Sequence, residues 1–400
     1  MRRKLHIRDV NVRGQRVLTR VDFNVPLTAA QEVSDDTRIR MSLPTVRHIL
    51  ESGGKAVLMS HLGRPKGKAV ESMRLRPAAA RLSELLGCAV PVTPDCVGDA
   101  TESAVAALGD GEAILLENLR FHDEETKNDP GFSRSLARLG DLYVNDAFGT
   151  AHRAHASTVG VTSFFRQRAM GFLMEREIVG LSRATESPEM PYVAILGGAK
   201  VSDKIGVIEN LMSKVSAVLV GGGMAFTFLK AQGLEIGDSL LEEDKVEVAA
   251  RLLEAARSSG KSFLLPLDVV VADALTAEAR TKVVASGSIE KDWQGADIGP
   301  RTVEAYALEI GRARTIVWNG PLGVFEIPRF AEGTNGIARA VAARTRAGAT
   351  SIVGGGDTAS AVSKAGVADD MTHISTGGGA SLEFLEGKVL PGIEALSDAE

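Results

Sequence analysis

Two cysteines, Cys88 and Cys96, are all that the 400 residues contain. That is too few for a disulfide framework or a zinc quartet. No apolar run reaches the length that crosses a bilayer. No signal peptide is expected either, because the basic start Met1-Arg2-Arg3-Lys4 is followed by Leu5-His6-Ile7 rather than an apolar core. Positive charge is not in excess. Lys plus Arg number 46 and Asp plus Glu 51, a net charge of −5, which argues against general nucleic-acid binding and leaves room only for a local basic site. Internal repeats, low-complexity tracts and Pro/Ser-rich linkers are also missing. These absences lead to the expectation of a soluble, reduced, cytoplasmic protein with no membrane and no nucleic-acid partner. The length suggests two or three domains, and a hydrophobic fraction of 44% supplies sizeable cores.

What is present is glycine, 42 residues of it, much of it placed just after apolar runs. Strand-like runs alternate with amphipathic helical ones, which predicts βα units and parallel sheets. In the first half the expected strands are 16–26, 55–60, 113–121 and 142–148. A helix is expected over 35–54, capped by Asp35 or Asp36 and kinked or split by Pro44, and another near 72–87. A helical stretch over 170–187 separates this half from a new strand series and reads as an interdomain connector. In the second half strands are expected at 192–196, 215–220, 262–273, 314–320 and 351–353. The domains are accordingly 1–169 and 188–379, each a mostly parallel sheet flanked by helices.

Strand ends carry the chemistry. Arg20, Asp22 and Asn24 lie in the first strand–loop unit with Arg38 soon after, His61 and Arg64 follow the second strand, Arg120 ends the third, and His152, Arg153 and His155 follow the fourth. Ligands bind beyond the carboxyl ends of parallel strands. Converging guanidiniums suit a small multiply anionic ligand, each gripping a carboxylate or phosphate through paired hydrogen bonds. Two near-motifs fail. The stretch 63-GRPKGKA-69 is one residue short of a phosphate-binding Walker loop and has Ala69 where Ser or Thr belongs. His152-x-x-His155 has no acidic or cysteine partner at metal-site spacing.

The second half changes style. After 192–196 come Gly197-Gly198-Ala199-Lys200, with Lys204 further on. The expected helix 202–214 places Lys200 at its start and Lys204 one turn later, flanking a phosphate chain. After 215–220 come Gly221-Gly222-Gly223 and then apolar Met224, Ala225 and Phe226, a loop better suited to a flat ring. Asn319 lies at the end of the strand 314–320, and Glu326 follows it. In 351-SIVGGGDTASAV-362 a strand runs into Gly354-Gly355-Gly356, Asp357 and a helix. Exposed glycine N–H groups and a helix N-terminus favour a phosphate. Asp357 offers an oxygen to a phosphate-bound cation, and Thr358 could cap the helix or hold a phosphate.

The strings RVDFNVPL, DDTRIR, SHLGRPKG, ENLRF, NDAFGTAHRAHAS, GGAKVSDK, VWNGPLGVFE, GGGDT and STGGGASLEFLEGK resemble the phosphoglycerate kinase family, in that family's order and over nearly the whole chain. The resemblance implies a two-lobed monomer, with 380–400 returning to the first domain, that moves a phosphoryl group reversibly between 1,3-bisphosphoglycerate and MgADP, giving 3-phosphoglycerate and MgATP. It implies that Asp22, Asn24, Arg38, His61, Arg64, Arg120 and Arg153 bind the triose substrate. It implies an adenine pocket at Gly221 and Gly222, a ribose contact at Glu326, and nucleotide-phosphate contacts at Lys204 and Asn319. Gly354, Gly355, Gly356, Asp357 and Thr358 match the phosphate and Mg2+ loop, with Asp357 on the metal. Arg38 and Lys200 match the pair around the transferring group. Arginines alone would not choose the acid that accepts the phosphoryl group.

Overall fold

The computed structural model describes residues 2–399. They form two compact units, one running to Ile178 and resuming at Val389, the other Val179–Lys388. The helix Phe172–Thr185 runs across the division.

The first unit holds β1 (Arg16–Arg20), β2 (Lys55–Met59), β3 (Ala113–Leu115), β4 (Leu142–Asn145) and β5 (Arg168–Met170). They form one parallel sheet in the order β3-β2-β1-β4-β5. Its strands are nearly all buried, as expected when helices cover both faces. The helices Thr37–Glu51 and Arg76–Leu86 bury Ile39, Val46, Ile49, Ala78 and Leu82 in the same core as Val17, Ala56, Leu58 and Val144.

The second unit holds β6 (Tyr192–Leu196), β7 (Ala217–Val220), β8 (Glu235–Ile236), β9 (Ser262–Leu264), β10 (Asp268–Ala272), β11 (Thr281–Ala285), β12 (Ser288–Ile289), β13 (Gln294–Ile298), β14 (Thr315–Asn319), β15 (Thr350–Gly354) and β16 (His373–Ile374). Six make a parallel sheet, β16-β15-β14-β6-β7-β9. Trp318, Ile195, Leu219 and Val353 join its core to Tyr306, Ile310, Ile337 and Val341 of the helices Pro300–Arg312 and Glu332–Arg346. The expected fold class, two α/β lobes built on parallel sheets, is the observed one.

Several local expectations are corrected. The first strand stops at Arg20 rather than Pro26, because the Phe23 N–H donates to Ser60 Oγ (2.8 Å) and the Val25 N–H to the Phe23 carbonyl, outside any ladder. The third stops at Leu115 and turns into a 3-10 helix, Leu119–Phe121, whose Arg120 N–H donates to Asn118 Oδ1. The helix runs over Thr37–Glu51 rather than 35–54 and is not split at Pro44, since its buried apolar face holds it against the sheet. Asp36 occupies its N-cap position but gives its carboxylate to Arg40 and Arg81, while Asp35 accepts from the Thr37 N–H. The run 262–273 is two strands. Pro266 lies between them, β9 joins the parallel sheet, and β10 pairs antiparallel with β11 and β13. The helix after β6 begins at Ile205, so Lys200 lies on the loop before it and Lys204 at its N-cap.

Candidate active site at two sheet edges

In the first unit the sheet order reverses between β1 and β4, the place where open α/β sheets leave a crevice. The segments leaving β1, β2, β3 and β4 bring the basic residues there. Asp22 is buried and accepts from Arg38 Nη1 at 2.8 Å, fixing a half-buried guanidinium that starts from the helix Thr37–Glu51. Asn24 Oδ1 accepts from the Gly63 N–H (2.9 Å) and pins the loop that carries exposed Arg64. Arg120 donates to the Gly63 carbonyl from the other side (2.8 Å). Arg64, Arg120, Arg153, His122 and His155 line a cavity of about 510 Å³.

Arg20 does not face a ligand. It is fully buried, and each of its nitrogens is engaged by protein: Nε donates to Ser157 Oγ (2.9 Å), Nη1 to the Val21 carbonyl, and Nη2 to His61 Nδ1 (3.1 Å). Its charge is balanced through Ser157, whose Oγ donates to the fully buried Glu125 (2.6 Å). A guanidinium cannot accept a hydrogen bond, so Nδ1 of His61 must be the acceptor and its ring proton sits on Nε2. Burial first, then Arg20, Arg120 and Arg38, hold the His61 pKa well below its ordinary value, so the ring is neutral. His155 is pushed down to about 4 by burial and then by Arg20, Arg120 and Arg153. Burial, with Arg20 and Arg153, lowers even Arg120 to about 10. This region carries uncompensated positive charge at the cost of like-charge repulsion, which an anionic ligand would relieve.

The second unit has the same placement and different chemistry. Its sheet order reverses between β6 and β14, and their ends interlock. The Gly197 N–H donates to the Asn319 carbonyl (2.9 Å), the Gly198 N–H to Pro321 (2.8 Å), and the Gly222 N–H to Leu322 (3.0 Å). Gly222 is at φ +67°, and a Cβ there would come within 2.7–2.9 Å of backbone atoms of Gly198 and Pro321. Gly221 lies against Leu322 in the same cluster of chain ends.

Asn319 ends β14 in register with Gly354 at the end of β15. Its Oδ1 accepts from Lys204 Nζ, while its buried Nδ2 has no partner. That orphaned donor lies 3.0 Å from where a Gly354 Cβ would stand, so the glycine leaves the space over it open. Burial lowers the Lys204 pKa, against the pull of Asp203, Asp357 and Glu386. Gly355, at φ +91°, turns the chain into the helix Gly356–Lys364. The first N–H groups of that helix, Asn319 Nδ2 and Lys204 Nζ are donors of the kind that suits phosphate oxygens. Asp357 is exposed in the first helical turn, and its carboxylate is the hard oxygen ligand that suits Mg2+. Thr358 neither caps the helix nor faces out; it is buried and accepts from the Gly320 N–H at 2.7 Å. Lys200 and Glu326 are exposed on loops after β6 and β14. Among the described residues, no helix is long and apolar enough to cross a membrane.

Two α/β units, one with an arginine-rich sheet edge and one with a glycine-lined sheet edge, are the architecture of a two-lobed phosphotransferase. A model of the family described as phosphoglycerate kinase matches residues 7–388. The chain is 56% identical over 397 residues to the phosphoglycerate kinase of Chloroherpeton thalassium, covering 99% of this chain and all of that one. It is 55% identical over 391 residues to the cytosolic phosphoglycerate kinase of Triticum aestivum, covering 98% and 97%. Among solved structures, the Coxiella burnetii phosphoglycerate kinase superposes with a TM-score of 0.88 at 43% identity, over 98% of each chain. The chain belongs to the phosphoglycerate kinase family and is an enzyme, a phosphotransferase.

Proposed function

We propose that the enzyme transfers the acyl phosphoryl group of 1,3-bisphosphoglycerate to MgADP, reversibly, giving 3-phosphoglycerate and MgATP, in the glycolytic sense or its reverse. The first unit serves as the triose-phosphate domain, the second as the nucleotide domain, and the helix over 170–187 as part of the hinge. The observation that carries this reading is the pairing of an under-compensated arginine cluster in one unit with a glycine-lined donor set in the other.

Arg64, Arg120 and Arg153 grip the anionic ends of the triose, Asn24 and Asp22 hold the loop and Arg38 in place, and neutral His61 donates through Nε2. Gly221 and Gly222 receive the adenine ring, Glu326 the ribose hydroxyls, and Lys204, Asn319 and the backbone of Gly354–Thr358 the phosphates. Mg2+, held by Asp357, supplies charge neutralisation on the nucleotide phosphates. In the ATP-consuming direction the acceptor is a carboxylate, already ionised at neutral pH, so no general base is required. What the step requires is in-line positioning and cancellation of charge by Arg38 and Lys200. These two residues belong to different units, so hinge closure and exclusion of water are part of the proposal. Both half-sites come from one chain, which supports action as a monomer, and the name of the cytosolic wheat relative supports a cytoplasmic location.

A coupled assay with MgATP and 3-phosphoglycerate, run beside other small carboxylic acids, tests the reading. Turnover should require the phosphorylated acid. Arg38→Ala and Lys200→Ala should each lose roughly a hundredfold or more in kcat with the fold intact. Near-normal turnover in either would refute its assigned role.

A further inference from the structure

Outside the substrate cavity lies a second group of ligand-type side chains. Asp95, Cys96 and His122 offer a carboxylate oxygen, Sγ and a ring nitrogen, all within 4.8 Å of one another. His122 Nε2 stands 2.7 Å from Asp95 Oδ1, and the same oxygen accepts from the Cys96 N–H at 2.6 Å. The Cys96 thiol is buried, with the Asp95 carboxylate beside it. We propose that Asp95, Cys96 and His122 form a binding site for a borderline-soft divalent cation of the Zn2+ class, with three protein ligands and one open position.

The donor set is of mixed type: a thiolate, an imidazole and a carboxylate suit Zn2+ or Co2+ and are poor for Mg2+. It is also supported from behind, as metal ligands are. Thr93 and Thr101 both donate their hydroxyls to the Asp95 carbonyl, at 2.6 and 2.7 Å, and fix the backbone that presents two of the ligands. The His122 ring packs on Phe132 with centroids 5.2 Å apart. Acidic groups lie beside the cluster, Glu124 near His122 and Glu125 near Cys96, while Lys66, Arg64, Arg120 and Arg153 share the cavity that His122 lines. Access is open on one side only, since the Asp95 and His122 side chains are partly exposed and Cys96 is not.

Without a cation the three groups satisfy one another. Burial, and then Asp95, push the thiol pKa well above its ordinary value, and Asp95 holds a proton on His122 by raising its pKa. Binding therefore exchanges protons for metal. The Cys96 S–H breaks and an S–M bond forms, the Nε2 proton leaves when His122 is charged, and both protons go to solvent. Affinity should rise with pH for that reason. His122 also lines the cavity that holds Arg64, Arg120 and Arg153, so an occupied site is coupled to the triose site through one imidazole.

The test titrates Co2+ and Zn2+ into the full-length protein without nucleotide. Co2+ should develop a thiolate charge-transfer absorbance at one equivalent, calorimetry with Zn2+ should show the same stoichiometry, and protons should be released. Cys96→Ser should abolish the band and weaken Zn2+ at least tenfold. His122→Asn should weaken Zn2+ tenfold or more while leaving Cys96 in place, which guards against a fold defect in the first variant. Cys88→Ser, at the exposed second thiol, should change nothing. No charge-transfer band in the wild type, or a band that disappears with Cys88→Ser and survives Cys96→Ser, overturns the site.

Discussion

Under the proposed function the two units hold anions in opposite ways. The first uses long charged side chains drawn from four strand ends, and it fixes several of its groups with another side chain: Asp22 on Arg38, Asn24 on the Arg64 loop, Glu125 through Ser157 on Arg20, and Arg20 on His61. The second uses backbone, with glycines where β6, β7, β14 and β15 end and only Lys204 and Asn319 as buried polar side chains in its donor set. A side-chain site gains strong paired contacts and selectivity for the ligand's charged ends, but it must restrain like charges. A backbone site is compact and carries little charge of its own, and it tolerates no added atom.

That intolerance gives the largest expected effect. At Gly320, φ +95°, a Cβ would overlap the Gly197 carbonyl, a backbone group that cannot swing away, and would stand 2.8 Å from the Gly198 nitrogen. Gly320→Ala should destabilise the second unit by about 3 kcal/mol or more and remove nucleotide binding. Thermal denaturation and ADP calorimetry check this, and a variant of wild-type stability would mean that the strand ends can part.

The side-chain site is probed more finely at His61. Its proton is on Nε2, so a replacement that keeps a donor there should work better than one that keeps an atom at the Nδ1 position. His61→Gln should hold the 3-phosphoglycerate KM within several-fold of wild type. His61→Asn should raise it roughly ten- to hundredfold, with little change in the KM for MgATP. Equal effects of the two, or a ring proton on Nδ1 by nitrogen NMR, would break the Arg20–His61 argument.

A smaller effect is expected at Asp146. It is fully buried and accepts from the Leu173 and Met174 N–H groups at the start of the helix Phe172–Thr185. Burial raises its pKa to about 6 from 3.8. A carboxyl whose folded pKa is raised binds its proton more tightly in the folded state. It therefore costs stability progressively as pH rises from about 4 to about 6, and the full cost persists above. At 1.36 kcal/mol per pH unit this is about 3 kcal/mol, an upper figure because the helix N-terminus favours the ionised form. Asp146→Asn keeps an acceptor and should gain on the wild type between pH 4 and pH 7 in denaturant titrations. A difference independent of pH would contradict the assignment.

Much of this was legible in the sequence. Apolar runs ending in Gly or Arg located the parallel strands and placed Arg38, His61, Arg120, Lys204 and Asp357 at sheet edges, because strand length and ligand position are local properties. What was not legible depends on pairing across distance. Whether Arg20 points to ligand or inward is decided by Ser157 and Glu125, more than a hundred residues away. The antiparallel sheet of β10, β11 and β13 was hidden because 262–273 reads as one apolar run until its two halves find different partners. Cys96 and His122 are 26 residues apart and match no metal-site spacing. The buried orphan Nδ2 of Asn319 is visible only once β14 and β15 are in register.

The central claim is that each unit recognises its own ligand, one by side chains and one by backbone. Calorimetric titration of 3-phosphoglycerate and of MgADP into the wild type, Arg64→Ala/Arg153→Ala and Gly222→Ala measures this directly. The arginine variant should lose 3-phosphoglycerate affinity by roughly a hundredfold and bind MgADP as the wild type does, and Gly222→Ala should show the reverse. If the arginine variant loses MgADP affinity as severely as triose affinity, the division of recognition between the two units is wrong.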